Sequence, residues 1–154
     1  MHKLIILLAA TVFSVFSYQN ANAQSNKSST VTVQDVKQQT LKMELDGKTF
    51  TILLENNVTA KALLQTLPFS ISASVYHKNH YYAVTPKSLT INGLKPTKDA
   101  TKGGIYYSAE YKGLGIFFEG GNFDNNELFY IGKIKEDISS IDGSKNALVI
   151  KFEK

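Results

Sequence analysis

From Leu41 onward, apolar and polar residues alternate over most of the chain with a period of two. Leu41, Met43 and Leu45 are separated by Lys42 and Glu44, and Phe50, Ile52 and Leu54 alternate with Thr49, Thr51 and Leu53. Successive side chains of a strand point to opposite faces, so each run reads as a strand with one face buried. Asp46-Gly47 lies between the two runs, and this dipeptide flanked by alternating apolar residues is the strongest local signal for a hairpin. The period then changes once. Ala60, Leu63, Leu64 and Leu67 fall at i, i+3, i+4 and i+7, Asn57 or Thr59 can cap the start, and Pro68 closes the end. One amphipathic helix is predicted there, with an apolar face that must rest on a sheet.

The two-residue period returns after Pro68. Ile71, Ala73 and Val75 alternate with serines, Lys78-Asn79 is the expected tight turn, and His80 to Val84 runs back. Pro86, Gly93 and Pro96 punctuate a loop-rich middle. A second hairpin is predicted from Ile105–Tyr111 and Leu114–Glu119 about Lys112-Gly113, followed by a polar loop over 120–127. Leu128–Ile134 and Ala147–Phe152 complete the strands, and a short helical turn is expected within Lys135–Ile141. Many short strands with one helix indicate a mainly β domain, a barrel or a sandwich. No internal repeat is present.

The first residues follow a different pattern. Met1-His2-Lys3 is a short basic start, Leu4–Phe16 carries no charge, and Ala21-Asn22-Ala23 offers small residues before Gln24. These are the three parts of a secretory signal peptide, expected to be cleaved after residue 23. At 1.5 Å per residue the uncharged run is too short for a ~30 Å hydrocarbon core, so no stable membrane insertion is expected after cleavage. Residues 24–40 are polar and read as a flexible leader with a short edge strand at Val31-Thr32-Val33, and the globular domain is expected over 41–154. The chain has no cysteine, which excludes disulfides, thiolate metal sites and a thiol-linked lipid anchor. A soluble protein in the periplasm or outside the cell is the expectation.

Charge narrows the partners. All 17 basic residues are lysines, set against 13 acidic residues. They are scattered rather than gathered in a stripe, so nucleic acid is not an expected partner. The absence of arginine removes any chemistry that needs a planar, bidentate guanidinium.

Candidate chemistry is sparse. If Lys78-Asn79 formed a two-residue turn, His77 and His80 would face each other across the hairpin mouth as a weak two-ligand metal candidate. Two ligands without a committed third rarely hold a metal, so no metal or cofactor is expected. No Gly-x-Ser-x-Gly elbow, P-loop or dinucleotide fingerprint is present, and the carboxylate pairs Asp124/Glu127 and Glu136/Asp137 read as solvated. The aromatic doublets Tyr81-Tyr82, Tyr106-Tyr107, Phe117-Phe118 and Phe129-Tyr130 carry more information. On a strand, each places one ring in the core and one outside. With Tyr82, Tyr107, Phe118 and Tyr130 as the candidate binding rings, they would form an aromatic surface for a small molecule, peptide or glycan.

The order of these pieces resembles the bacterial cyclophilin-like fold family. The matching stretches are Leu45-Asp46-Gly47-Lys48-Thr49-Phe50, Thr59–Leu64 running to Leu67-Pro68, and Tyr82–Leu89. Gly104-Ile105-Tyr106-Tyr107 leading to Gly115-Ile116-Phe117-Phe118, and Leu128–Ile134, complete the set. Gly103-Gly104 departs from the Gly-Asp that the family often places there. The resemblance implies a cyclophilin-like closed β-barrel of seven or eight strands, flanked by one helix. It does not carry function. Cyclophilins lower the barrier of the X-Pro bond with an arginine beside an apolar pocket, and this chain has none. The expected function is therefore a non-enzymatic binding module. A folding helper or prolyl isomerase-like protein is the alternative, and an enzyme acting on a small ligand at the barrel mouth is a third.

Overall fold

The computed structural model describes residues 37–124, 127–141 and 143–154. The expected signal peptide, most of the expected leader and the strand expected at Val31-Thr32-Val33 lie outside the described residues.

The first hairpin forms where the alternation places it, as β1 (Thr40–Leu45) and β2 (Lys48–Leu54). Asp46 and Gly47 both take positive φ, 52° and 72°, the conformation that a tight two-residue hairpin turn requires. Helix α1 (Val58–Thr66) follows. Its N-cap is Asn57, whose Oδ1 accepts from Ala60 N at 2.9 Å, while its Nδ2 donates to Tyr130 O at 3.0 Å. The second bond ties the start of the helix to the barrel wall. Ala60 and Leu63 are buried in the same apolar cluster as the inward side chains of the strands, and Thr59 is buried with its hydroxyl donating to Thr90 O at 2.6 Å.

The chain continues through β3 (Phe69–Tyr76), β4 (His80–Val84), β5 (Asp99–Ala100), β6 (Gly104–Ser108) and β7 (Gly113–Phe117). It ends with β8 (Gly121–Asn122), β9 (Leu128–Ile134) and β10 (Ala147–Glu153). Eight of these strands close a barrel in the order β1-β10-β3-β4-β7-β6-β9-β2, all paired antiparallel. Closure leaves the barrel no free edge. The short strands β5 and β8 pair with each other apart from it.

Several local features differ from the sequence reading. The turn between β3 and β4 is built on His77 and Lys78, with φ of 50° and 56°, not on Lys78-Asn79. The register pairs Tyr76 with His80, so His77 and His80 do not face each other across the hairpin. The reason is tertiary: Asn79 O accepts from both Phe118 N and Glu119 N at 3.0 Å, which holds Asn79 against the end of β7. The second hairpin pairs Ser108 with Gly113, so Ala109–Lys112 is the loop and Gly113 is a strand residue. Lys112 takes the positive φ, 53°, in its place. The helical turn expected within Lys135–Ile141 does not form; one reverse turn stands there, closed by Ile141 N to Ile138 O at 2.8 Å. Within the polar loop, β8 forms against β5.

Burial divides the apolar residues into two groups. The larger fills the barrel and includes Met43, Ile52, Leu114, Ile116, Ile131, Ile150 and Phe152. The smaller is formed by Ala100, Tyr106, Phe117 and Leu128, with Phe123 and Tyr130 packed against it. It belongs to the outward positions of β6 and β7 and the neighbouring residues of β9, with Ala100 of β5 and Phe123 packed over them.

Candidate binding pocket

The pocket begins with the outward positions of β7. Along Gly113-Leu114-Gly115-Ile116-Phe117, Leu114 and Ile116 join the barrel core, which leaves Gly113, Gly115 and Phe117 facing out. A Cβ on Gly113 would overlap the Tyr82 ring, and one on Gly115 would stand 2.7 Å from Phe117 Cε2 and 3.5 Å from His80 Cδ2. Rings from β4 and β7 therefore lie flat on bare backbone, and the floor they make is concave.

The walls are aromatic. His80 stacks on Phe117 with centroids 4.4 Å apart and planes 18° from parallel. Phe123 meets both edge-on, at 5.6 Å from His80 and 5.3 Å from Phe117. Tyr106 supports Phe117 from behind at 5.2 Å. Tyr76 and Tyr111 stand at the rim, each about half exposed, and Tyr82 donates its hydroxyl to Tyr111 O at 2.5 Å, which fixes the tip of the β6–β7 loop. Ser108 and Leu128 complete a cavity of about 180 Å³. An apolar cavity of ~150 Å³ holds a benzene ring, so this one has room for a single ring-sized group rather than an extended ligand.

Electrostatically the pocket is neutral. None of its lining residues is a carboxylate or a lysine. His80 is the one titratable group in it with a large shift. Burial lowers its pKa from 6.5 to about 4, and the neighbouring His77 adds to the effect. Its Nδ1 lies 2.6 Å from Asn79 Oδ1. Burial also raises the Tyr82 phenol, with Tyr107 and Tyr111 contributing. At neutral pH the pocket thus holds an uncharged imidazole and an uncharged Tyr82 phenol.

The four rings chosen from sequence are not brought together. Tyr82 lines the pocket. Tyr130 lies on the same outer face against Tyr106, 5.2 Å away, but outside the cavity. Tyr107 and Phe118 point into the barrel, 1% and 2% exposed, and Tyr107 uses its hydroxyl to accept from Leu89 N at 3.0 Å. In those two doublets the outward members are Tyr106 and Phe117. Sequence reasoning also missed His80 as a wall, Tyr76, Phe123 and the two floor glycines. The signal that could have found the floor is small-large alternation in Gly-Leu-Gly-Ile-Phe. His77 is exposed at the turn, its ring 4.2 Å from Tyr76. Among the described residues, no cluster of three or more His, Asp or Glu side chains could hold a metal ion. Glu136 and Asp137 are exposed, and each accepts a backbone hydrogen bond, from Thr51 N and Ser139 N.

The sequence profile of the Cyclophilin-like family matches residues 43–153. The chain belongs to that family. Among solved structures, this cyclophilin-like domain is similar to a hypothetical protein from Archaeoglobus fulgidus, determined in solution. The TM-score is 0.60 at 16% identity, over 75% of this chain and 94% of the archaeal one. At that identity the likeness is one of fold. No curated protein matches the cyclophilin-like chain.

Proposed function

We propose that this cyclophilin-like domain is an exported, non-enzymatic binding module whose outer aromatic pocket takes one ring-sized group of a small molecule, peptide or glycan. The observation that carries the reading is the cavity of about 180 Å³ lined by Tyr76, His80, Tyr82, Tyr111, Phe117 and Phe123. Its polar groups are few and mostly committed to the scaffold, the pattern of a site that binds by shape and apolar contact rather than one that moves protons. Export is supported by the basic start, the uncharged run and the Ala-Asn-Ala site. Intact mass of the secreted protein should correspond to a chain beginning at Gln24; a mass that retains Met1 contradicts export by this route.

The chain has no tryptophan and eight tyrosines, so tyrosine fluorescence reports on the pocket. A panel of small ring compounds, prolyl dipeptides and short oligosaccharides, titrated against the wild type and Tyr111→Ala, tests the reading. At least one class should bind the wild type in the micromolar to millimolar range and bind the rim variant several-fold more weakly. A panel with no binder, or one bound equally by both proteins, overturns it.

A folding helper is the second reading, favoured by the same ring-lined cavity, which suits a prolyl ring. A cyclophilin-type isomerase needs a rigid guanidinium, and no arginine is present. Proline-limited refolding of a reporter protein should run at its uncatalysed rate with this domain added. Acceleration within tenfold of a working cyclophilin would put the second reading first.

A further inference from the structure

One polar atom deep in the pocket wall, His80 Nε2, identifies the chemistry of what enters it. Asn79 Oδ1, an amide oxygen, can only accept, so the His80 Nδ1 that lies 2.6 Å from it carries the proton. A neutral imidazole has one proton, which leaves Nε2 as an acceptor. No hydrogen bond is made to Nε2 among the described residues, although none of their fully buried side-chain nitrogen or oxygen atoms lacks a partner. Nε2 is therefore reached from the cavity. The neighbouring ring atom, Cδ2, lies over the floor at Gly115. Of the other inner polar groups, Tyr82 donates to Tyr111 O and Ser108 Oγ accepts from Tyr111 N at 3.4 Å. The ring is held in this state from several sides. Phe117, Phe123 and Tyr76 pack against it, and Asn79 fixes its tautomer while being pinned by Phe118 N and Glu119 N.

We infer that the pocket selects a neutral aromatic ring carrying one hydrogen-bond donor, a phenol in the simplest case, which donates to His80 Nε2. The inference rests on the binding reading above. The walls favour a flat ring by edge and face contacts, and the volume admits one. The lining carries no lysine or carboxylate, so neither an anion nor a cation finds its counter-charge there. A ring without a donor would cover Nε2 and leave it unpaired, which costs more than the hydrogen bond itself contributes. A free phenol and the tyrosine side chain of a peptide share this chemistry.

The test uses the intact domain, with p-cresol, 4-methylanisole and toluene as probes of nearly the same shape, of which only p-cresol donates. Binding is read from amide and side-chain NMR shifts of the pocket residues. The wild type should bind p-cresol about tenfold more tightly than the other two, the size of one hydrogen bond made against one left unmade. The 15N resonance of His80 Nε2 should move with p-cresol only, a readout in the wild-type protein that needs no variant. In His80→Phe the preference should vanish while toluene still binds. N-acetyl-tyrosinamide set against p-cresol then separates the two sources. Tighter binding of the former assigns a peptide side chain and of the latter a free phenol, and either supports the donor assignment. Toluene bound as tightly as p-cresol overturns that assignment and leaves the pocket reading standing. No pocket shift with any of the probes overturns both.

Discussion

At Gly115 a hydrogen atom faces the pocket where every other residue would place a Cβ. Its absence lets Phe117 and His80 stack over the strand, and Phe117 has no room to retreat because Tyr106 and Phe123 hold its other sides. Gly115→Ala should therefore cost about 1–3 kcal/mol in denaturant unfolding, as overpacking does, and should abolish ring binding. A gain in stability, as expected if only strand propensity mattered, would show that the floor is not tight. His80 gives a second prediction. Its folded pKa of about 4 lies below its ordinary 6.5, so the unfolded chain binds the extra proton between those values. Stability should be whole above about pH 6.5 and should fall as the pH drops toward 4. The expected loss is on the order of 1–2 kcal/mol after allowance for partial solvent access. The exposed carboxylates Glu136 and Asp137 are held below their ordinary range, so they titrate lower. Urea unfolding from pH 7 to 4.5 should show this slope in the wild type and not in His80→Phe; equal slopes would mean that the ring is not desolvated.

The elements differ in how openly the sequence declares them. The β1–β2 hairpin and α1 are legible because several local signals agree: alternation about Asp46-Gly47 in one, an i, i+3, i+4, i+7 stripe between an N-cap and Pro68 in the other. Two predictions follow for the helix. Leu63→Ala should cost about 2–4 kcal/mol and Lys61→Ala less than about 0.5 kcal/mol, since Leu63 is buried and Lys61 exposed. Asn57→Ala should cost about 1–2 kcal/mol, at the upper end for a cap, because it frees both Ala60 N and Tyr130 O. Comparable small effects at Leu63 and Lys61 would mean that the helix does not dock on its leucine face. The strands of the pocket are less legible. A doublet of two aromatic residues shows that one ring is inside but not which one. β6 keeps its alternation, with Ile105 and Tyr107 inside and Tyr106 outside, but β9 skips Ile131 between the partners of Ile105 and Tyr106, so the register of its own doublet is shifted by one residue. The two misread turns have a common cause. Asn79 and Gly113 suit turns by type, but Asn79 is spent on His80 and β7, and Gly113 on the floor under Tyr82, so His77, Lys78 and Lys112 take the positive φ instead.

At the scale of the molecule, closure explains why a ring-lined cavity can exist on the outside. An eight-stranded barrel is filled by its own side chains, and Tyr107, Phe118 and their neighbours fill this one. No room for a ligand follows from the inner set. The outward rings of β4, β6 and β7 are instead bordered by Leu128 at the start of β9 and by Phe123, which follows β8 where that strand pairs with β5. The pattern left barrel and sandwich open and the family resemblance implied the barrel, but neither showed this second apolar cluster, because it depends on which ring of each doublet faces out and on Ala100 and Phe123 packing against those rings. We place ligand binding by this cyclophilin-like domain in the outer aromatic cavity. An amide chemical-shift map with saturating p-cresol tests it most directly. Shifts should be confined to Tyr76–Tyr82, Ser108–Phe117 and the stretch around Phe123 and Leu128, with β1 and β10 unmoved. Shifts centred on the β1–β10 wall, or on Tyr107 and Phe118 without their outward neighbours, would contradict it.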